Sequence, residues 1–274
     1  MRSILVPVDF TELSTIALTT AEQLCEKMNT KIIILAMNKV PSLATLTKSE
    51  NLYVSVHKNK EVKEKEELLS QFKENHDLYQ ETLHINTSDF VKTILNIIHE
   101  YTIDLVVMGA KVSTQSKLKG IFSNSLTEEI SVKSPVPVLV VRNDNNHLTF
   151  KNVLFVSDFK GEQYLREIQH AQKLFSSTVH LLNVNLKGGE GESDALLSAE
   201  VSLQKHNIFD YHTHSVEAES VEQGVMKFLD KNFIDIIAIG TEGKDKLQRL
   251  LEDCPSMDLL NHVDKPTYIF PLHA

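Results

Sequence analysis

The fold is decided by a stretch that occurs twice in the chain, MRSILVPVDF at Met1–Phe10 and FKNVLFVSDF at Phe150–Phe159. Two further pairs of segments recur in the same order: IDLVVMG at Ile103–Gly109 with IDIIAIG at Ile234–Gly240, and PVPVLVV at Pro135–Val141 with KPTYIF at Lys265–Phe270. Self-similarity over about half the chain indicates two copies of one domain rather than a solenoid of short units. What each copy keeps or loses therefore carries most of the functional information.

The composition fits two globular domains of ordinary size, because the chain has 274 residues, of which 42% are hydrophobic and 24% charged. No apolar run approaches the roughly 18 residues of a membrane span, and the N-terminus enters a strand-like run directly, so neither a membrane segment nor a signal peptide is expected. A net charge of −9 argues against nucleic-acid binding. The two cysteines, Cys25 and Cys254, fall in different halves, which favours a reducing, cytoplasmic location.

Apolar, β-branched runs alternate with helical patterns in both copies. Ser3–Val8 and Asn152–Val156 are typical of buried strands, and each is followed by apolar residues at three- and four-residue spacing. This alternation predicts an α/β fold in which each copy forms an open parallel sheet with helices on both faces. We place the first domain at residues 1–143 and the second at 150–274, on either side of the polar segment Asn143–Leu148.

In an open parallel sheet, ligands bind at the carboxyl ends of the strands, where the strand order reverses. The residues expected to meet there are Asp9 or Asp158 after the first strand, Met37 or Val184 near the end of the second, and Gly109 or Gly240 before the last loop. An aspartate at a strand end can accept hydrogen bonds from a ribose or a base, or it can cap the following helix. Both interpretations stay open, because a helix cap would recur in both copies as well.

The ordered set ILVPVDF, IIILAM, DLVVMG and PVPVLVV resembles the universal stress protein domain, and the similarity extends over nearly the whole chain as two tandem copies. The resemblance implies two Rossmann-like domains of the adenine-nucleotide-alpha-hydrolase-like type, each with a five-stranded parallel sheet. In the nucleotide-binding branch of that family, Gly, two residues, Gly, nine residues and Gly-Ser or Gly-Thr form a phosphate loop. Members with this motif bind ATP, and the aspartate after the first strand contacts the adenosine.

The first copy departs from that motif. Gly109 is present, but Val112 stands at the second glycine and Asn124-Ser125 replaces the Gly-Ser pair. Ser125 also fits a capping box with Glu128, so it either binds phosphate or only caps a helix. If this copy binds ATP or AMP, the resemblance assigns the contacts to Val8, Asp9, Met37, Gly109, Lys111, Asn124, Ser125 and Leu126.

The second copy departs from the motif differently. Gly240 and Gly243 keep the spacing of the first two glycines, but Asp253-Cys254 replaces the Gly-Ser pair. We expect the Asp253 carboxylate to lie at a helix N-terminus, where it would substitute for the phosphate and exclude ATP. Asp158, Gly240 and Gly243 are therefore interpreted as a vestigial site in a domain with a degenerate phosphate loop.

His212 and His214 should point to the same side of a strand, a spacing that could place two metal ligands. The alternative is a pair of exposed strand histidines, and because no cysteine or carboxylate lies at matching spacing nearby, no metal site is assigned. Neither copy offers a nucleophile paired with a base, and Cys254 has no such partner. The sequence therefore predicts a protein that is not an enzyme, with weak ATP hydrolysis left open.

The resemblance implies a stress-response protein, and we expect a non-catalytic binding or signalling module with degraded nucleotide motifs. Binding of ATP or AMP by the first domain alone is one alternative, and a pocket for another small ligand or a metal is a second. The closing strands, Pro137–Val141 and Pro266–Phe270, are expected to pair within the chain as a pseudo-dimer. A homodimer and unknown protein partners stay open, whereas nucleic acid and membrane are not expected partners.

Overall fold

The computed structural model describes residues 3–39, 78–87, 89–110, 124–142, 149–157, 163–186, 193–241 and 265–271. The strands in these ranges form one ten-stranded sheet in the order β3-β2-β1-β4-β5-β10-β9-β6-β7-β8. None of the helices in these ranges is long and apolar enough to cross a membrane.

The first half contributes five parallel strands and, in its described ranges, three helices. The strands are β1 (Ser3–Val8), β2 (Lys31–Lys39), β3 (Tyr79–Thr87), β4 (Leu105–Gly109) and β5 (Val138–Val141). The helices are α1 (Glu12–Met28), α2 (Phe90–Glu100) and α3 (Asn124–Lys133). β1, β4 and β5 are buried along their whole length, which explains their continuous apolar sequences.

The second half repeats the same strand order. Its strands are β6 (Asn152–Val156), β7 (Thr178–Leu186), β8 (Tyr211–Ala218), β9 (Ile236–Thr241) and β10 (Thr267–Pro271). Its described helices are α4 (Gln163–Phe175), α5 (Ser193–Lys205) and α6 (Val221–Leu229). The predicted α/β class with a parallel sheet in each half is confirmed.

The five parallel strands of each half join in one continuous sheet. β10 pairs antiparallel with β5, in the register Thr267↔Val140, Tyr268↔Leu139 and Ile269↔Val138. The closing strands of the two halves thus contact each other directly. The physical reason for the single sheet is that pairing covers two apolar strand edges whose N–H and C=O groups would otherwise lack partners.

An aromatic cluster fills the core beside this junction. Tyr268 on β10 is fully buried and packs edge-on against Phe175 of α4, with ring centroids 5.5 Å apart. Phe150 stacks on Phe175 at 5.3 Å, and the Lys27 ammonium of α1 lies 5.4 Å from the Phe150 ring centroid. Side chains from both halves therefore share this part of the core.

The hydroxyl of Tyr268 is satisfied within the cluster. It donates to Glu167 Oε2 at 3.3 Å and lies 3.1 Å from His170 Nδ1, and both partners belong to α4. A buried hydroxyl without such partners would cost free energy, so these contacts fix β10 against α4.

We predict that Tyr268→Ala lowers the free energy of unfolding by about 3–5 kcal/mol, because it removes a large, fully buried aromatic ring from the junction. Urea unfolding followed by circular dichroism measures the change. Phe209→Ala is the matched control, since Phe209 is 71% exposed and its loss should cost less than about 0.5 kcal/mol. Equal effects of the two substitutions would contradict a packed junction.

Candidate functional site

The crevice predicted to hold a ligand lies between the carboxyl ends of β1 and β4. These strands are neighbours, and the chain leads from β1 to β2 on one side and from β4 to β5 on the other. This is the point where the strand order reverses, and the residues that follow the two strands are Asp9 and Ala110. We call this place the first-half crevice.

Asp9 stabilises the turn that starts α1. Its Oδ1 accepts hydrogen bonds from Thr11 N at 3.1 Å and from Thr11 Oγ1 at 2.6 Å. Thr11 is the N-cap of α1, and Phe10 between them has a positive φ of 64°. Asp9 is therefore not the cap itself, but it holds the cap residue in place. Both of these hydrogen bonds use one carboxylate oxygen.

Gly109 ends β4 against the first turn of α1. A Cβ at this position would lie 2.4 Å from the carbonyl oxygen of Leu13 and 2.8 Å from its Cβ. Such distances are impossible without moving the helix or the strand, because the nearest atom belongs to the backbone. The packing of α1 on β4 therefore requires glycine here, whether or not the crevice binds a phosphate.

Three of the predicted contact residues have buried side chains. Val8 is 4% exposed, Met37 is fully buried and Leu126 is 7% exposed. Met37 and Leu126 belong to the apolar cluster that packs on one face of the first half of the sheet. These residues could contact a ligand in the crevice only through main-chain atoms.

The remaining predicted residues divide into two groups. The main chain of Asn124 and Ser125 forms the start of α3, and Gly240 lies in β9 opposite Phe270. The predictions for Lys111, Asp158, Gly243, Asp253 and Cys254 lie outside the described residues.

Arg142 is a buried cation one strand away from the crevice. It follows β5, is 4% exposed, and its neighbour Val141 accepts a hydrogen bond from Ala110 N at 3.0 Å. Burial raises the pKa of Glu128 on α3, and the charge of Arg142 opposes that rise. The carboxyl edge of the first half therefore carries buried positive charge.

Three histidines lie together near the amino ends of β7 and β8. His180 is opposite His212 in the strand register, and its Nδ1 lies 3.0 Å from Nε2 of His214. The ring centroid of His180 is 5.2 Å from that of His212 and 5.2 Å from that of His214. Burial is the main cause that lowers the pKa of His180 to about 4, and the two neighbouring imidazoles add to it. Burial and His212 also lower the pKa of His214.

Comparison with models of protein families gives a match over the first half of the chain. The model of the universal stress protein family matches residues 1–142, which is more than half of the chain. The chain belongs to the universal stress protein family. Because the second half repeats the strand order of the first, the universal stress protein fold accounts for the whole sheet.

Solved structures agree with this universal stress protein fold. A universal stress protein from Archaeoglobus fulgidus superposes with a TM-score of 0.71 at 19% identity, covering 98% of this chain and 96% of that one. A functionally unknown protein from Pseudomonas aeruginosa gives 0.67 at 16% identity, covering 99% and 93%. At these identities the likeness concerns the fold alone. No curated protein matches the sequence.

Sequence analysis missed two residues of this universal stress protein. His180 lies next to His212 and His214 only because of the register between β7 and β8, and strand register cannot be read from the sequence. Arg142 follows the closing strand, where a charged residue is typical of a strand end facing solvent, yet it is buried. A charged residue directly after an all-apolar strand was the available signal.

We predict that Gly109→Ala lowers the free energy of unfolding by about 1–3 kcal/mol, because the new methyl group collides with the backbone of Leu13. Gly224→Ala is the matched control. Its Cβ would also lie 2.4 Å from a neighbour, but that neighbour is the Val184 side chain, and alanine favours the helix. Thermal unfolding should show the larger loss for Gly109→Ala, and the reverse order would contradict the backbone argument.

Lowering the pH should reduce the free energy of unfolding, because His180 is harder to protonate in the folded chain. Its folded pKa of about 4 lies below the unfolded value of 6.5, so the unfolded chain binds more protons. The contribution of this pKa difference to the free energy of unfolding is fully present above pH 6.5 and is lost as the pH falls toward 4. For this partly exposed ring we expect a loss of about 1 kcal/mol between pH 7 and pH 5.

The test compares His180→Gln with the wild type by urea unfolding at both pH values in metal-free buffer. His84→Gln, at an exposed strand histidine, is the control. His180→Gln should reduce the pH dependence and His84→Gln should not. An unchanged pH dependence in His180→Gln would count against the lowered pKa.

Proposed function

We propose that this chain is a non-catalytic stress-response protein, acting as a binding or signalling module made of two paired universal stress protein domains. We assign the domains to residues 1–143 and 150–274. The observation that carries the proposal is the antiparallel pairing of β5 with β10, and buried apolar side chains of both halves belong to one core cluster. In this proposal one chain forms the pseudo-dimer that two single-domain chains would otherwise form.

The surroundings of two potential nucleophiles support a non-catalytic role. Cys25 is fully buried, and burial raises the pKa of its thiol to about 12, so the reactive thiolate is suppressed at neutral pH. Tyr268 lies beside His170 and Glu167, an arrangement that could suggest acid–base chemistry. Its hydroxyl is buried and its pKa is raised well above 10, mainly by burial, so no substrate could reach it.

Binding of ATP or AMP in the first-half crevice is the alternative function. Oδ1 of Asp9 is occupied by Thr11, and no donor from the described residues reaches Oδ2, which could accept from a ribose hydroxyl. Arg142 adds a buried positive charge at this edge, and that charge already acts on Glu128. The weakness of the alternative is Val112, which stands where the family motif has its second glycine.

One purification experiment separates these functions. The protein is purified without added nucleotide and denatured, and the supernatant is analysed by absorbance and mass spectrometry. The melting temperature is then measured with and without ATP or AMP, because a ligand that binds only the folded state must raise it. ATP hydrolysis is followed in the same samples.

We predict that the non-catalytic module releases no stoichiometric nucleotide, shows no ATP-dependent rise of the melting temperature and does not hydrolyse ATP. If the alternative holds, nucleotide raises the melting temperature and Asp9→Ala abolishes the rise. Asp89→Ala is the matched control, because Asp89 also accepts a backbone hydrogen bond at a helix start, from Lys92 N at 3.0 Å, but lies on an exposed loop. A nucleotide effect that Asp9→Ala and Asp89→Ala reduce equally would place the nucleotide elsewhere.

A further inference from the structure

The three histidines form a cluster with a defined arrangement of protons. The amide oxygen of Asn152 can only accept a hydrogen bond, so Nε2–H of His180 must donate to it across the 3.3 Å separation. Nδ1 of His180 is then the acceptor, and Nε2–H of His214 donates to it across 3.0 Å. The two ring planes are nearly parallel, at 11°, and their centroids are 5.2 Å apart. One proton thus lies in a hydrogen bond between two imidazole nitrogens, Nε2 of His214 and Nδ1 of His180.

We propose that a divalent transition metal ion of the zinc type takes the place of that shared proton, with His180, His214 and His212 as its protein ligands. Imidazole nitrogen is a preferred ligand of such ions. The site does not depend on nucleotide binding, and it gives this chain a second binding function.

Two of the three ring spacings are close to those around such an ion. Two nitrogens bound to one tetrahedral zinc ion at about 2.0–2.1 Å lie roughly 3.3 Å apart, and their ring centres roughly 5 Å apart. Here the two nitrogens are 3.0 Å apart, and the ring centroids are separated by 5.2, 5.2 and 6.4 Å. To complete the site, the His180–His214 contact would have to open, and the rings of His180, His214 and the exposed His212 would have to turn toward a common centre.

In the described part of the chain, no group of three or more His, Cys, Asp or Glu side chains is arranged so that it could hold a metal ion as it stands. The present contact explains this for the histidines, because the nitrogens of His180 and His214 point at each other rather than at a common centre. Metal binding therefore requires the N–H···N bond to open.

A second set of contacts prepares His180 as a ligand. Metal-binding histidines commonly donate their other ring N–H to a protein oxygen, which fixes the ring and its tautomer. Nε2–H of His180 makes such a bond to Asn152, whose amide nitrogen lies 3.5 Å from Asp235 Oδ2. Asp235 is itself held by the backbone N–H groups of Lys151 and Asn152, each at 2.9 Å. Nδ1 of His180 is thus presented as the coordinating atom before any metal arrives.

Solvent and cations can reach the cluster. His212 is exposed, and His212 and His214 help to line a cavity of about 660 Å³ along the outer edge of β8. Glu200 lines the same cavity and accepts a hydrogen bond from Thr213 at 2.6 Å. Glu200 lies on the other face of β8, because its partner Thr213 alternates with His212 and His214 along the strand.

The proton balance is simple. When the ion binds Nε2 of His214, the proton on that nitrogen passes to solvent and Nδ1 takes one up, so the ring stays neutral. His180 keeps its Nε2 proton toward Asn152 throughout. No oxidant or reductant is needed, and a water molecule would fill the fourth position.

The test uses the untagged full chain, stripped with a chelator, and titrates Zn²⁺ in competition with a chromophoric chelator. We predict saturable binding of one zinc ion per chain and a zinc-dependent rise of the melting temperature. His212→Gln and His214→Gln should each weaken binding at least tenfold, and Asn152→Ala by about 10–100-fold. Long-range ¹H–¹⁵N spectra should show the His180 Nδ1 resonance shifting while Nε2 stays protonated.

His99→Gln is the control, because His99 lies at an exposed position in the last turn of α2. Circular dichroism verifies that every variant is folded. The proposal is overturned if no saturable zinc binding occurs. It is equally overturned if the His212→Gln and His214→Gln proteins bind zinc as tightly as His99→Gln does, since the ion would then be held elsewhere in the chain.

Discussion

The antiparallel contact between β5 and β10 is the constraint on which the rest of the molecule depends. Within each half all strands run parallel, so each half alone would expose an apolar closing strand as an open edge. Joining the closing strands covers both edges at once and leaves β3 and β8 as the outer strands. Both of these have half-exposed, polar sequences that tolerate an edge position.

The same contact fixes where chemistry can occur. Because β5 and β10 run in opposite directions, the carboxyl ends of the first half and those of the second half lie at opposite ends of the sheet. A ligand in one crevice therefore cannot touch the other, and each half can lose or keep its site independently.

The sequence predicted the scaffold well because continuous apolar runs and helical spacing are local properties. It predicted less of the sites, for two physical reasons. Gly109 was predicted as part of a phosphate loop, but its closest constraint is the backbone of Leu13, which comes near only after α1 packs on β4. His212 and His214 were seen as a pair, but their partner His180 depends on strand register, a long-range property that local patterns do not encode.

The histidine cluster and the first-half crevice lie at the same end of the sheet. His180 and His212 stand near the amino ends of their strands, and the second half is reversed relative to the first. Six strand spacings of about 4.8 Å separate the two places, roughly 29 Å along the sheet. No single small ligand spans that distance. Within the sheet the two places are connected through the β5–β10 pairing, where Tyr268 lies opposite Leu139.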